Sequence, residues 1–319
     1  MPKVSVITPC YNSAKYVGQT LTSVCCQSLP DWEHIVVDDG NRDGSAEIIA
    51  AFARKDPRIR LVSQSHGGVT RARNQGFRAV SSDSRYLLFL DADDCLEPGM
   101  LEKLSDYLDV HPAVGLVRCE YRFIDQEGRP IDDPESKHRY VPSGLWVRKL
   151  SPDEPETPFL SVFTLCGIIP SICLIRRSVF EQTPGFDENF GHHHEDTDLF
   201  LHVALRSQIH YFSDPLVLRR RHPEQNTADS PEFREKAYRQ LQKLYSEWRK
   251  GEGLTPEEKR RVEEAWRFKE GRLEPYLAFL RARRSFQNKE PKKAFRNLLG
   301  GARSYLASFI PTGRLAKER

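Results

Sequence analysis

Two hydrophobic periods alternate along the first hundred residues of the chain. Four short apolar runs, the first of them rich in β-branched residues, have the composition of buried strands: 3–8, 34–38, 59–62 and 86–90. Between these runs, apolar residues recur at helical spacing, as Val17, Leu21 and Val24 do, which indicates helices packed on a sheet. This alternation predicts right-handed β–α–β units and a mostly parallel sheet. Ligands of such sheets bind beyond the carboxyl ends of the strands.

The pattern becomes less regular after residue 115. Strands are predicted at 114–117 and 162–175. The stretch between them, 132–158, is rich in proline and charge and is interpreted as a loop. The run 162–175 is also the longest near-continuous apolar segment, but its 14 residues include Gly167 and Pro170 and are too few to span a membrane.

The strand pattern disappears beyond Asp229. Four helices, separated by glycine or proline, are predicted in this part of the chain: 232–250, 256–272, 274–287 and 291–309. The sequence therefore predicts an α/β domain over residues 1–229, in two halves at 1–115 and 116–229. An α-helical C-terminal region follows over residues 230–319.

The composition fits a folded protein with a substantial core. Of 319 residues, 39% are hydrophobic and 29% are charged, and the net charge is only +3, which argues against global disorder. The N-terminus leads directly into a strand and lacks a signal-peptide cleavage region. The 7 cysteines form no C-x-x-C pair, which favours reduced thiols over a disulfide or zinc framework. We therefore expect a cytoplasmic protein.

The small net charge conceals an uneven distribution. Residues 1–229 carry a net charge of −8, whereas residues 230–319 contain 23 lysines and arginines against 12 acidic residues, a net charge of +11. Apolar residues recur at helical spacing among these basic side chains within 274–319. Two interpretations stay open: basic amphipathic helices that lie in an anionic membrane surface, or helices that pack their apolar faces on the α/β domain. No nucleic acid is expected, because the tail lacks the interleaved aromatics of an RNA-binding motif.

Three carboxylates follow the fourth predicted strand. Asp91, Asp93 and Asp94 place like charges within a few ångströms of one another, which is costly without a cation. A divalent ion such as Mg²⁺ or Mn²⁺ would relieve the repulsion, since it binds one or two protein carboxylates and completes its shell with water and phosphate oxygens. The alternative interpretation is a solvated acidic turn.

A second acidic segment follows the second predicted strand. Asp38 and Asp39 are poorly suited to phosphate but can accept hydrogen bonds from a base N–H or from ribose hydroxyls. The alternative interpretation is an Asp/Gly turn that caps the helix at Ser45. Glu195 and Asp196 form another acidic pair, far from both segments in the sequence.

Several segments, taken in order, resemble the family 2 glycosyltransferases, which have the GT-A fold. They are V-S-V-I-T-P-C-Y-N at 4–12, V-V-D-D-G-N-R-D-G-S at 36–45, G-G-V-T-R-A-R-N at 67–74, D-A-D-D at 91–94, G-F-D-E at 185–188 and E-D-T-D-L at 195–199. Each segment alone is weak evidence, but their common order and spacing match the family over residues 3–225.

The resemblance implies an α/β protein with a GT-A-like, Rossmann-type sheet flanked by helices. It also implies an enzyme that moves a sugar from a nucleotide donor, usually a UDP-sugar, to a hydroxyl of a glycan or lipid-linked saccharide, with inversion and with Mn²⁺ or Mg²⁺. Residues 246–249 do not match the Q-x-x-R-W motif of processive synthases, so one sugar per turn is expected. A lipid-linked acceptor would bring the enzyme to the inner face of a membrane.

The resemblance also implies residue roles, position by position. Six residues would bind the nucleotide-sugar: Pro9 and Tyr11 in the nucleoside pocket, Asp39 at the uracil, Arg73 at the base or diphosphate, Asp91 at the ribose or a metal-bound water, and Glu195. Three residues would hold the metal: Asp93, Asp94 and His222. Asp196 occupies the position of the catalytic base, and one base suffices because the metal stabilises the leaving group.

Two competing functions fit the residues less well. A sugar nucleotidyltransferase would need a glycine-rich basic loop after the first strand, where this chain has T-P-C-Y-N. A nucleotide-sugar-binding protein with weak or no catalysis would lack an acid at position 93 or 196, and both acids are present. The run 192–194 is three histidines, which we interpret as a loop before Glu195 rather than a metal site.

Overall fold

The computed structural model describes residues 1–131, 155–165, 168–189, 194–223, 243–273, 278–279, 282 and 291–307. The chain divides into two compact units, Met1–Leu244 and Tyr245–Arg319. The predicted boundary at residue 229 lies outside the described residues, as do most of the predicted loop at 132–158 and most of the predicted helix at 274–287.

Strands and helices alternate through the first half of the first unit. The elements are β1 (Val4–Cys10), α1 (Val17–Cys25), β2 (Trp32–Asp38), α2 (Ser45–Lys55), β3 (Ile59–Ser63), α3 (Val69–Ala79) and β4 (Tyr86–Phe89). β1 pairs in parallel with both β2 and β4, and β2 pairs in parallel with β3. The predicted β–α–β units are therefore confirmed. The carboxyl ends of these strands lie along one edge of the sheet.

The second half of this unit completes a nine-stranded mixed sheet. Its elements are β5 (Cys95–Leu96), α4 (Met100–Val110), β6 (Val114–Ile124), β7 (Pro130–Ile131), α5 (Phe159–Leu165), β8 (Cys173–Arg176), α6 (Arg177–Phe180), α7 (Glu195–Arg206) and β9 (Gln208–Arg220). The strand order is β3-β2-β1-β4-β8-β6-β9-β5, and β7 pairs with β6. β8 lies antiparallel between β4 and β6, whereas β9 runs parallel to β6.

The predicted strand at 162–175 is wrong over most of its length. α5 occupies the first part, a 3₁₀ turn follows at Pro170–Ile172, and only the last part belongs to β8, while residues 166–167 lie outside the described part of the chain. Phe159 and Phe163 lie one helical turn apart, are 7% and 0% exposed, and have ring centroids 5.7 Å apart. A continuous apolar run suits a buried helix as well as a buried strand, so periodicity could not distinguish them.

The sequence analysis also misses β9, a 13-residue strand. Asp214 and Pro215 interrupt its apolar residues, and proline normally marks a strand edge or a bulge. The structure accommodates them by a shift of register, since Cys119 of β6 lies opposite Phe212 and the next residue, Glu120, lies opposite Pro215. β9 therefore continues to the acidic edge of the sheet, where its last residues enter the candidate site.

Gly76 allows α3 to lie close to the parallel half of the sheet. A Cβ atom at this position would be 2.3 Å from Ile7 Cγ2 and 3.2 Å from Val37 Cγ2. Ile7 and Val37 are both fully buried strand residues, so neither has room to move away. The missing side chain therefore sets the distance between α3 and the sheet, and with it the position of the polar residues that precede Gly76 on this helix.

The described residues of the second unit are mostly helical. Residues 245–250 continue a helix that is described from residue 243, and residues 251–255 are turn and coil. α8 (Pro256–Phe268) continues into a π-helical turn at Lys269–Leu273, close to the predicted helix at 256–272. α9 (Pro291–Ala307) matches the predicted helix at 291–309 as far as it is described. Lys269 Nζ lies 4.3 Å from the ring centroid of Tyr245, which packs in this unit. None of the helices described is both long and apolar enough to span a membrane.

Candidate active site

Asp39, at the end of β2, is a buried carboxylate that organises the loop before α3. It is 2% exposed and accepts hydrogen bonds from the backbone amides of Gly67 and Gly68, at 2.8 Å and 2.9 Å, and from Gln64 Nε2 at 2.7 Å. His66 Nδ1 lies 2.9 Å from Asp39 Oδ2. Three donors and the His66 imidazole therefore meet one carboxylate, which holds residues 64–68 against the end of β2.

Tyr11 and His66 form an aromatic pair beside this carboxylate. Their ring centroids are 4.0 Å apart with an interplanar angle of 24°, and Tyr11 remains 47% exposed. Pro9 lies nearby in β1, opposite Val37 of β2. An exposed flat ring next to a polar strand end can stack on another planar group. His66 was not predicted from the sequence, because nothing distinguishes a single histidine in a polar loop.

Arg73 joins Asp91, in the acidic segment after β4, to the start of α7. Its side chain is 4% exposed, and its Nη2 and Nη1 atoms donate to Asp91 Oδ1 at 2.8 Å and to Glu195 Oε1 at 2.9 Å. The guanidinium carbon lies 5.1 Å from the centroid of the Phe186 ring. Burial opposes the charge of Arg73, but Asp91 and Glu195 outweigh it and raise the pKa of Arg73. Arg73 is therefore a buried cation between two carboxylates.

Asp196 lies in the first turn of α7, beside Glu195. Burial raises its pKa to about 7, and the neighbouring charge of Glu195 acts in the same direction, whereas Arg73 and the hydrogen bonds from Thr197 lower it. The Thr197 amide donates to Asp196 Oδ1 at 2.6 Å. His194, which precedes the pair, has a left-handed backbone with φ of 64°. A carboxylate that titrates near neutral pH is well suited to accept a proton.

Asp93 and His222 form a second pair at this edge. Asp93 follows β4 and His222 follows β9, and His222 Nε2 lies 3.0 Å from Asp93 Oδ2. The His222 side chain is 7% exposed, packs against the Tyr16 ring with centroids 4.5 Å apart, and has no hydrogen-bond partner at its buried Nδ1. An aromatic neighbour therefore orients an imidazole toward a half-buried carboxylate.

Asp94 faces the interior rather than the open edge. It is 3% exposed, and its Oδ1 accepts a hydrogen bond from the backbone amide of Arg220 at 3.1 Å. Burial, followed by the charges of Asp93 and Asp91, raises the pKa of Asp94 well above its ordinary value, and Arg219 acts in the opposite direction. The carboxyl group of Asp94 thus links the segment after β4 to the end of β9.

Arg220 is a site residue that the sequence analysis missed. It is 0% exposed, and its Nε donates to the carbonyl oxygen of Asp93 at 2.9 Å, while Nη2 donates to Gln19 Oε1 at 2.7 Å. Its Nη1 donates to the carbonyl oxygens of Asp125 and Gln126. Arg220 therefore ties the acidic segment to α1 and to the end of β6. The three successive arginines at 219–221 were the available signal, but only folding shows which one is buried.

The predicted metal residues meet only as a pair. No group of three or more His, Cys, Asp or Glu side chains that could hold a metal ion occurs within the ranges that the structure describes. Asp93 and His222 do offer a carboxylate oxygen and a ring nitrogen 3.0 Å apart. His192 and His193 lie outside those ranges. A divalent ion that also binds a diphosphate needs only one or two protein ligands, so the donor set fits such an ion.

Sequence comparison identifies the family of this chain. A profile described as Glycosyl transferase family 2 matches residues 5–183, more than half of the chain. The chain therefore belongs to glycosyl transferase family 2, as its motifs predicted. The chain is 38% identical over 135 residues to the uncharacterized glycosyltransferase EpsJ of Bacillus subtilis, which is 42% of this chain and 38% of EpsJ. Across four curated relatives at 35–38% identity, the chain spans between 18% and 52% of their length.

Two solved structures show the same fold. S. aureus TarS 1-349, in complex with UDP-GlcNAc, has a TM-score of 0.59 at 17% identity, and the match covers 94% of this chain and 92% of TarS. Mannosyltransferase PcManGT from Pyrobaculum calidifontis, in complex with GDP-Man and Mn²⁺, has a TM-score of 0.57 at 17% identity and covers 97% and 88%. The predicted GT-A-like α/β fold with a helical C-terminal region is confirmed.

Proposed function

We propose that this chain is a glycosyltransferase that moves one sugar per turn from a UDP-sugar to a hydroxyl of a glycan or lipid-linked saccharide, with inversion. The observation that carries the proposal is Asp196, a carboxylate with a pKa near 7 one residue from the Arg73 ion-pair network at the ligand-binding edge of the sheet. The UDP-GlcNAc of TarS and the GDP-Man of PcManGT support a nucleotide-sugar donor for a chain with this fold.

Asp196 acts as the general base of this reaction. It takes the proton of the acceptor hydroxyl as the acceptor oxygen forms a bond to the anomeric carbon. The bond from that carbon to the donor phosphate breaks, and its electron pair leaves with the nucleoside diphosphate. Attack on the face opposite the leaving group inverts the anomeric centre. The base and the leaving group therefore act on opposite sides of the sugar.

The other predicted residues bind the donor or shape the pocket that receives it. Tyr11 and Pro9 form one wall of the nucleoside pocket, and Asp39 shapes the loop that faces them by accepting three hydrogen bonds from residues 64–68. Asp91 is 37% exposed at its side chain and is available to ribose hydroxyls. Arg73 is enclosed between carboxylates, so it orders the pocket by holding Asp91 rather than by contacting the base.

A divalent ion, Mn²⁺ or Mg²⁺, fits the pair Asp93 and His222. When bound, such an ion neutralises charge that accumulates on the departing diphosphate. Asp93 offers a carboxylate oxygen, and His222 offers its Nε2 atom from a ring held by Tyr16. Asp94 supports the pair by anchoring the segment that carries Asp93 to the backbone of Arg220.

The decisive experiment changes Asp196. Wild type and Asp196→Asn are compared in a panel of nucleotide sugars, with binding of the donor and transfer to saccharide acceptors measured separately. We expect transfer to fall by at least about 100-fold while donor affinity stays within a few-fold, because the base acts on the acceptor proton. Asp106→Asn, an exposed carboxylate on α4 paired with Lys3, is the control and keeps full activity.

Two results would contradict this assignment. Near-wild-type transfer by Asp196→Asn would remove Asp196 as the base. Absence of binding by wild type across the whole nucleotide-sugar panel would overturn the donor class itself.

We further propose that the second unit contacts the inner, cytoplasmic face of an anionic membrane. α9 exposes three large apolar side chains, Phe295, Leu298 and Leu299, at 63%, 40% and 48%. Lys292 and Arg296 are exposed on the same helix. Apolar groups interspersed with basic ones are typical of helices that lie in the interface of an anionic bilayer. A lipid-linked acceptor would be available there.

A further inference from the structure

We propose that Arg73 is a positioning residue that couples the donor-side carboxylate Asp91 to Glu195 and so places and activates the base Asp196. This inference rests on the proposed function. Sequence separation gives no sign of it, because Arg73 and Glu195 are 122 residues apart. In this proposal Arg73 acts between Asp91 and Glu195, which lie in the two halves of the site, and does not contact the nucleotide.

Two neighbouring side chains of α3 hold the region that carries Asp196. α3 holds the base-bearing region at two points, since Arg73 donates to Glu195 and the next residue, Asn74, pairs with the backbone of Phe186. Asn74 Nδ2 donates to the Phe186 carbonyl at 2.8 Å, and the Phe186 amide donates to Asn74 Oδ1 at 3.1 Å. The Phe186 ring lies in turn near the Arg73 guanidinium. α3 therefore holds both Phe186 and Glu195, the two ends of the segment that precedes Asp196.

The charges around Asp196 also depend on Arg73. Glu195 and Asp196 are adjacent acids in a largely buried first turn, and burial together with the Glu195 charge favours a proton on Asp196. Among the residues that the structure describes, Arg73 is the cation that favours the Asp196 anion, and the Thr197 amide and hydroxyl stabilise it by hydrogen bonds. Arg73 thereby keeps a usable fraction of Asp196 ionised near neutral pH.

The two carboxylates that Arg73 joins differ in their exposure to solvent. Arg73 forms ion pairs with both: the Asp91 side chain is 37% exposed and can be reached by a ligand, whereas the Glu195 side chain is only 9% exposed. A nucleotide-sugar that contacts Asp91 is thus connected through the Arg73 guanidinium to Glu195, the carboxylate next to the base. Ordering Asp91 by the donor also orders Arg73 and Glu195, which links donor binding to the readiness of the base.

The test is the pH dependence of kcat at saturating donor and acceptor. In wild type we expect kcat to rise with pH, with a midpoint at about 7, because only ionised Asp196 accepts the proton of the acceptor hydroxyl. Arg73→Gln removes the charge that favours the anion, so the rise should move to higher pH by about one unit or more. Glu195→Gln removes the charge that disfavours it, so the rise should move to lower pH. Arg73→Lys keeps a charge and should restore most of the wild-type profile.

Asn74→Ala is the matched structural control. It loosens the same region from α3 without changing a charge, so kcat should fall while the midpoint of the pH profile stays at its wild-type value. Thermal unfolding of each variant shows whether it is folded. If Arg73→Gln does not fold, Arg73→Met, which keeps the apolar stem without the charge, takes its place with the same expected shift, and an unchanged midpoint in a folded Arg73→Met protein would overturn the inference.

Two results separate the failure of this inference from the failure of the proposed function. Unchanged midpoints in Arg73→Gln and Glu195→Gln, in an enzyme whose activity depends on Asp196, would overturn the role of Arg73 alone. If the residual activity of Asp196→Asn keeps the wild-type pH profile, the base assignment fails, and the proposed function must be revised before Arg73 is considered.

Discussion

Three aspartates that look equivalent in the sequence have different surroundings in the structure. Asp91 bonds to the buried Arg73, Asp93 lies against His222, and Asp94 accepts from the backbone of Arg220. Burial and the charges of neighbouring carboxylates raise the pKa of Asp91 and of Asp94, and each of the three aspartates has a different partner. At the residue scale, the site is therefore defined by which group each carboxylate meets, and these partners come from α3 and from the end of β9.

The pair Asp93 and His222 leads to a prediction about metal and nucleotide. Asp93→Asn, or chelation of wild type, should weaken UDP binding by about 10-fold or more, because the charge of the diphosphate would no longer be shared with a cation. His222→Ala should weaken it less, since one ligand is lost and the carboxylate stays. Calorimetric titration of UDP with and without Mn²⁺ measures both effects, with Asp106→Asn as the control. Equal UDP affinity with and without metal in wild type would rule the metal bridge out.

At the scale of elements, α3 positions more of the site than any motif suggests. It carries Arg73 and Asn74, begins just after the loop held by Asp39, and lies on the sheet at Gly76. Its depth against β1 and β2 decides where the guanidinium sits between two carboxylates. Gly76 therefore contributes to the site without touching any group in it.

Replacing Gly76 with Ala should destabilise the protein. The added Cβ would meet Ile7 Cγ2 at 2.3 Å, so α3 or β1 must shift, and overpacking of this kind lowers the free energy of unfolding by about 1–3 kcal/mol. Gly18→Ala is the control, because in α1 the nearest heavy atom, Ile48 Cγ2, is 3.8 Å away. That change should be neutral or stabilise by up to about 1 kcal/mol through helix propensity.

Urea unfolding of both variants measures the difference. A Gly76→Ala protein as stable as wild type would show that α3 can move from the sheet at no cost. The transfer activity of Gly76→Ala then reports how closely the Arg73 contacts depend on that distance.

At the scale of the whole molecule, the positive net charge of residues 230–319 bears on whether the protein binds an anionic membrane. The helical second unit contains α8 and α9, and exposed apolar and basic side chains share α9. Each lysine or arginine close to an anionic bilayer contributes about 1 kcal/mol to binding. The alternative, that the apolar groups pack on the α/β domain, predicts no dependence on lipid charge.

Vesicle flotation distinguishes the two interpretations. Full-length protein should float at low salt with phosphatidylcholine vesicles that contain phosphatidylglycerol, and less with phosphatidylcholine alone. Replacing Phe295, Leu298 and Leu299 by Ser should reduce the floated fraction several-fold, because it removes the apolar part of the contact. Arg260→Gln, an exposed basic residue on α8, is the control. Equal flotation of the serine variant, or none for wild type, would contradict the membrane role.

The sequence was most informative where a single period dominates. β1 to β4 and the helices between them are half-buried or buried elements with regular spacing, and they fold where the pattern predicts. It was least informative where apolar residues run without a period, as in α5, or where proline and charge interrupt a strand, as in β9. In those regions, contacts with distant strands decide the conformation.

The sequence by itself determined the parallel half of the sheet, the family and the residue types that gather at the strand ends. Only the tertiary structure decided that Arg73 lies between Asp91 and Glu195, that Arg220 is buried beneath the Asp93 segment, and that His66 stacks on Tyr11. The physical reason is the distance over which each kind of information acts. Hydrophobic period and residue type are local along the chain, whereas burial and charge interactions depend on distance through space, which only the packing of remote segments sets.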